Sequence, residues 1–224
     1  MPQPPTSGAQ AVTIFDLYGT LTWHDTLFPY VRGFVQRHPA RLAGIWRMPW
    51  ALAAYGLGGR DRGILKSRVI RAAMGGTRRG DVDAWSDAFV AGLPRWAFRR
   101  AALEVLEAHR RAGDFLVLLS ASPDLYVPRI GRLLGFDATI CTEVTWRGDL
   151  LAGRLATANR HGEEKRICLE ALRARHPGAR FTAYGNSDSD LPHLVRADQA
   201  LLVNGSARAR RLATAAGVAV AEWS

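Results

Sequence analysis

The chain has 224 residues, a formal charge of +10 and 48% apolar residues. That length suits one large domain or a core with a smaller insert, and the apolar fraction suffices for a packed interior. No apolar run reaches the roughly 20 residues that a membrane-spanning helix needs.

Residues Met1 to Gln10 are rich in Pro, Gly and Gln, lack the basic and apolar regions of a signal peptide, and read as a disordered tail. The run Ala11-Val12-Thr13-Ile14-Phe15 then reads as a buried strand. It ends on Asp16 and breaks into Leu17-Tyr18-Gly19-Thr20. From about Trp23 to Pro94 apolar residues recur at helical spacing, interrupted by Pro39, Pro49, Gly56 to Gly59 and Gly75-Gly76. This pattern predicts an all-helical insert of three or four helices.

Beyond it, strands are predicted over Phe115–Leu119, Ala138–Cys141, Phe181–Tyr184 and Ala200–Val203. Helices are predicted over Arg99–Ala112, Leu125–Leu134, Glu163–Arg175 and Ser206–Ala216. Such alternation predicts a parallel sheet with helices on both faces. Residues 143–146, a turn at Arg147-Gly148-Asp149 and residues 150–155 read as a β-hairpin. The expected fold is α/β: a three-layer Rossmann-like parallel sheet over 11–22 and 95–224. An all-helical cap over 23–94 follows the first strand, and a hairpin follows the third.

The basic residues are dispersed and not interleaved with aromatics at base-stacking spacing, so no nucleic-acid partner is expected. Nearly all are Arg; only Lys66 and Lys165 are Lys, a skew that resembles codon bias. A basic face would still favour anionic substrates or an anionic membrane surface. Residues 42–58 carry two Trp, one Tyr and Arg47 between flanking arginines. They read either as a cap helix with Trp in its core or as a helix in peripheral contact with a membrane surface. Pro49 argues against a continuous span. Cys141 and Cys168 are not spaced as a redox or zinc pair and suit reduced thiols in a cytoplasmic protein, peripheral to the inner membrane face if the cap binds lipid.

Four patches carry chemistry. They are Asp16-Leu17-Tyr18-Gly19-Thr20; Ser120-Ala121-Ser122; Lys165 in Gly162-Glu163-Glu164-Lys165; and Gly185-Asn186-Ser187-Asp188-Ser189-Asp190. Each alone has an ordinary reading: a strand end, a helix cap, a surface lysine, a turn. Together they suit phosphoryl transfer. A carboxylate attacks phosphorus, a hydroxyl and adjacent N–H groups hold the phosphate oxygens, and an ammonium neutralises charge. An oxygen cluster at the fourth patch suits Mg²⁺.

These patches, in this order, resemble the haloacid dehalogenase-like hydrolases. Thr22-Trp23-His24-Asp25-Thr26, Ser120-Ala121-Ser122-Pro123, His161-Gly162-Glu163-Glu164-Lys165 and Asp190-Leu191-Pro192 resemble the phosphoserine-phosphatase-like branch, near its bacterial phosphatidylglycerophosphatase group. The resemblance implies a Mg²⁺-dependent phosphatase acting on a small-molecule or lipid phosphate. It assigns Asp16, Tyr18, Ser120 and Lys165 to catalysis and Thr20, Ala121 and Ser122 to substrate. It assigns Asp16, the backbone carbonyl of Tyr18, Asn186 and Asp190 to the metal.

Two positions depart from that pattern. Tyr18 stands where the family's acid/base Asp would be, and a phenol is a poor base at neutral pH. Asn186 replaces a charged metal ligand, so metal affinity should weaken. Asp-x-Tyr-Gly-Thr also resembles the metal-independent L-2-haloacid dehalogenases, in which the Asp attacks carbon. A catalytically degraded binding protein is the third expectation.

Overall fold

The computed structural model describes residues 11–41, 62–93 and 97–223. Its frame is a parallel sheet of β1 (Ala11–Phe15), β2 (Phe115–Pro123), β3 (Ala138–Thr142), β6 (Arg180–Gly185), β7 (Gln199–Val203) and β8 (Ala219–Ala221). The strand order is β3-β2-β1-β6-β7-β8. β1 is central, paired from Val12↔Phe115 to Phe15↔Leu118 on one side and from Ala11↔Arg180 to Phe15↔Tyr184 on the other. A smaller antiparallel pair is formed by β4 (Val144–Arg147) and β5 (Leu150–Leu155), with Gly148 at φ +56° in the turn.

Successive side chains of β1 bury into opposite faces. Val12 and Ile14 join Val117, Leu119 and Phe181 on one face. There they meet Leu169 and Leu172 of α6 (Glu163–Arg175) and Ala209 of α8 (Ala207–Ala215). Phe15 joins Leu116 and Leu118 on the other face, under Leu106 of α4 (Arg100–Arg111) and Ile130 of α5 (Val127–Leu133). A central strand covered on both faces has no polar side, which is why its sequence is apolar but for Thr13, whose buried hydroxyl donates to Asp114 Oδ2 at 2.9 Å. The three-layer α/β arrangement expected from the sequence is therefore the observed one.

Three details differ from the expectation. β2 runs to Pro123, because residues 120–123 stay extended alongside β3 although the register shifts between Leu119 and Pro123. A sixth strand, β8, and the one-turn helix α7 (Leu191–Leu194) were not anticipated. Both are too short to carry a hydrophobic period.

Between β1 and β2 lie α1 (Leu27–Arg37), a 3₁₀ turn over 39–41, α2 (Arg62–Met74) and α3 (Arg79–Ala91). Tyr30, Phe34, Ile70, Met74 and Trp85 of these helices are buried in the same cluster as Phe15 and Leu118, so cap and sheet share one apolar interior. Two attachments set the cap's position. On one side Arg129 of α5 bonds to Asp83, at 2.9 Å, and to Asp87, both on α3, while Tyr126 Oη lies 3.0 Å from Thr26 Oγ1. On the other side the hairpin pairs with the α2–α3 connection: Gly76 N donates to Leu151 O (2.8 Å), Leu151 N to Thr77 O (2.9 Å), and Arg79 N to Asp149 O (2.8 Å). Ser67 Oγ donates to Gly153 O at 3.2 Å. The hairpin is thus a clamp that fixes α2 over the sheet.

The tail over 1–10 and the whole segment read as a cap or membrane-surface helix, residues 42–58, lie outside the described residues. Among the described residues no helix is long and apolar enough to cross a membrane.

Candidate active site

The chain leaves β1 outward through β2 and β3, then returns to β6 and moves the other way through β7 and β8. Such a reversal opens a crevice beyond the carboxyl ends of the two strands at the switch, here β1 and β6. Asp16 stands at that point. Its N–H still bonds to Tyr184 O on β6 at 3.0 Å, and the chain then turns, with Gly19 N donating to Thr22 O at 2.9 Å. Gly19 sits at φ +78°, and a Cβ there would lie 1.8 Å from Asn186 Nδ2. Only glycine lets the first loop and the loop after β6 approach this closely.

Asp16, Ser120, Lys165 and Asp190 are all buried. Lys165 Nζ, near the start of α6, donates to Asp16 Oδ1 at 2.6 Å and to Asp190 Oδ1 at 2.5 Å. Thr20 Oγ1 donates to Asp16 Oδ2 at 3.4 Å. Asp190 Oδ2 accepts from the N–H groups of Asn186 and Ser187, each at 3.0 Å, and from Ser187 Oγ at 2.8 Å. Both oxygens of Asp190 are therefore committed to bonds within the protein. At the end of β2, the bulge turns Ser122 N onto Ser120 Oγ, at 3.1 Å.

One ammonium between two buried carboxylates sets the electrostatics. Burial raises the Asp16 carboxyl well above the usual carboxylate range; Lys165 opposes this and Asp190 adds to it. Burial would raise Asp190 too, but Lys165, His193 and the Ser187 bond outweigh it and hold it below the usual range. Burial alone would lower Lys165, yet the two carboxylates hold it above its ordinary value. Lys165 is thus a permanent charge, and Asp16 is the member of the pair that takes up a proton first.

These groups open into a cleft of about 480 Å³. Asp16, Tyr18, Ser120, Ala121, Ser122, Lys165, Asn186 and Asp190, all singled out from the sequence, line it. Thr20 does not; it is buried beneath Asp16. The Tyr18 side chain stands at the mouth, 48% exposed.

The model of the haloacid dehalogenase-like hydrolases matches residues 13–194. The chain belongs to this family. It is 32% identical over 187 residues to Protein CicA of Caulobacter vibrioides, covering 83% of this chain and 82% of that one. It is 26% identical over 220 residues to phosphoserine phosphatase SerB1 of Mycobacterium tuberculosis, covering 96% of this chain and 71% of the relative. Among solved structures, a Bordetella pertussis Tohama I protein with unknown function superposes with a TM-score of 0.80 at 22% identity, over 95% of this chain and 98% of that one.

Within this haloacid dehalogenase-like frame, the cap supplies residues to which the sequence analysis gave no role. Leu65, Lys66 and Val69 of α2 line the cleft from above. Lys66 Nζ donates to Ala121 O and, at 2.6 Å, to Asn159 Oδ1. Thr142 Oγ1 donates to the same Ala121 O at 2.8 Å and approaches Asn159 Oδ1 at 3.4 Å. Asp25 and His161 also line the cleft; the sequence analysis quoted them only within longer motifs. One signal in the sequence pointed to Lys66. Of 30 cationic residues only two are lysines, and both line this cleft.

Proposed function

We propose that this haloacid dehalogenase-like hydrolase is a phosphomonoesterase that works through an aspartyl-phosphate on Asp16. One observation carries the reading: Asp16, the Ser120–Ser122 loop and Lys165 meet in a single cleft at the sheet's switch point. An Asp16 oxygen attacks phosphorus and the ester oxygen leaves, giving an acyl phosphate; water then attacks phosphorus and restores the carboxylate. Ser120 Oγ and the N–H groups beyond it hold the phosphate oxygens. Lys165, kept charged by Asp190, offsets the charge gathering on nucleophile and phosphate. The relative named as a phosphoserine phosphatase makes a small phosphorylated metabolite the first substrate class to try, and a lipid phosphate the second.

Mg²⁺ fits the donor set. The Asp16 carboxylate, the Asn186 amide and the backbone carbonyl of Tyr18 are hard oxygen donors, although no group of three His, Cys, Asp or Glu side chains converges among the described residues. Bound there, Mg²⁺ would neutralise phosphate charge. Asp190, with both oxygens engaged, contributes its charge. A donor set with one full negative charge, itself paired to Lys165, binds Mg²⁺ weakly.

The test is p-nitrophenyl phosphate hydrolysis, with and without Mg²⁺, by this chain, Asp16→Asn and Tyr18→Asp. Asp16→Asn is expected to abolish turnover, and Tyr18→Asp, which adds an acid and base at the cleft mouth, to raise it. Turnover that survives Asp16→Asn removes the reading. Tyr18 at the cleft mouth favours a second reading, attack of Asp16 on carbon with loss of halide. It predicts chloride release from 2-chloropropionate that Tyr18→Asp abolishes.

A further inference from the structure

Phosphoryl transfer from an alkyl ester leaves an alkoxide that needs a proton. The cleft has few groups able to supply one. Asp16 is the nucleophile. Asp190 is held by Lys165, Ser187 and two backbone N–H groups. Lys165 lies between two carboxylates, which bind its proton tightly.

Lys66 is different. It enters the cleft from the cap and, among the described residues, donates to neutral oxygens, Ala121 O and Asn159 Oδ1. Ala121 lies between the two serines of the phosphate loop, so the amine sits one residue from the group being transferred. An ammonium has three N–H donors, and two are used among the described residues; the third would serve a ligand in the cleft. The residue type also matters. At 28 of the 30 cationic positions this chain carries Arg, which does not give up its proton; at the two positions in the cleft it carries Lys.

We propose that Lys66 is the general acid and base of the reaction, doing from the cap what Tyr18 cannot do from the sheet. The assignment rests on the phosphomonoesterase reading above. As Asp16 attacks and the P–O ester bond breaks, the Lys66 ammonium passes a proton to the leaving oxygen, giving the free alcohol and a neutral amine. The amine then takes a proton from the water that attacks the aspartyl-phosphate. Inorganic phosphate leaves, and the Asp16 carboxylate and Lys66 ammonium are restored. The local electrostatics suit both directions. Burial pushes Lys66 down to about 8; Asp25 opposes this, Lys165 adds to it, and Cys141 opposes it weakly.

Two esters of similar shape isolate the proton. p-Nitrophenolate leaves without help, whereas the alkoxide from p-nitrobenzyl phosphate does not. kcat/KM reports the step in which the ester bond breaks. Lys66→Met is expected to lower kcat/KM for the benzyl ester by about 10²-fold or more, and by at least about tenfold more than for the phenyl ester, whose smaller loss reads the missing positive charge alone. Lys66→Arg keeps the charge but cannot give up its proton near neutral pH, and should show the same selective loss on the benzyl ester as Lys66→Met. In a Tyr18→Asp background the loss on the benzyl ester should shrink to a few fold.

Activity on the phenyl ester shows that each variant is folded. Equal losses on both esters, full benzyl activity in Lys66→Arg, or a parent enzyme that cleaves the phenyl ester alone would each overturn the role of Lys66 and leave the phosphatase reading standing. A benzyl rate untouched by Lys66→Met overturns it too. If neither the parent nor Tyr18→Asp cleaves either ester, both proposals fall.

Discussion

The floor and the roof of the cleft each present one lysine, and the two are treated oppositely. Lys165 rises from the sheet side between two carboxylates, 2.6 and 2.5 Å away, and is held charged. Lys66 descends from the cap onto a carbonyl and an amide oxygen, and burial lowers its pKa. A carboxylate partner makes a lysine a fixed charge; partial burial against neutral partners makes it a proton carrier. In the proposed mechanism, fixed charge suits the side where Asp16 would meet the phosphate, and a transferable proton suits the side where the alcohol would leave.

The sharpest way to break this contrast is Lys165→Met. It strands two carboxylates in a buried site, and breaking a buried ion pair costs about 3–5 kcal/mol. Urea unfolding should show a loss of that size together with loss of hydrolysis. Adding Asp16→Asn removes one stranded charge and should recover part of the stability, a coupling that a double-mutant cycle reads directly. A Lys165→Met protein as stable as the parent would mean that the two carboxylates are not competing for one cation.

The floor was legible in the sequence for a physical reason. Asp16, Ser120 and Asn186 each follow an apolar run, and the carboxyl edge of a parallel sheet is where ligands bind, so the run itself gives the address. Lys165 follows a glycine that opens a helix, Gly162, at φ +64°. The roof lacked such punctuation. Which face of α2 meets the cleft is decided by the hairpin, through pairs such as Gly76 with Leu151 and Arg79 with Asp149, about 70 residues apart in sequence. The hairpin was read correctly as an element, but its role as a clamp depends on contacts that no local pattern encodes. Residue type survived as a clue where periodicity did not: two lysines amid arginines.

A second experiment sharpens how closely the floor's loops must meet. Gly19→Ala places a methyl group 1.8 Å from Asn186 Nδ2, in a left-handed backbone that alanine adopts at a cost. Asn186 must move, and with it a proposed oxygen donor. The expected loss is about 1–2 kcal/mol in urea unfolding, with Mg²⁺ stimulation of phenyl ester hydrolysis weakened at least severalfold. Wild-type Mg²⁺ dependence in Gly19→Ala would remove Asn186 from the donor set.

The smallest effect concerns a histidine buried behind the floor, outside the cleft lining. His193 on α7 is fully buried, and neither ring nitrogen has a hydrogen-bond partner among the described residues. Burial, with Lys165 nearby, pushes its pKa down to about 3, against a weaker pull from Asp190. The folded protein therefore holds this ring neutral while the unfolded chain protonates it below about 6.5. The unfolded state binds the extra proton, so the stability due to this group is intact above that pH and drains as the pH falls toward 3, by about 1 kcal/mol per unit. His193→Leu removes the titrating group and two unsatisfied nitrogens. Between pH 7 and pH 5 the variant should lose about 1–2 kcal/mol less than the parent in urea unfolding, and at pH 7 it should be at least as stable. Identical slopes in the two proteins would mean that His193 finds a partner when the floor relaxes. Burial would then not be enough, without fixed neighbours, to set the charge of a group beside this cleft.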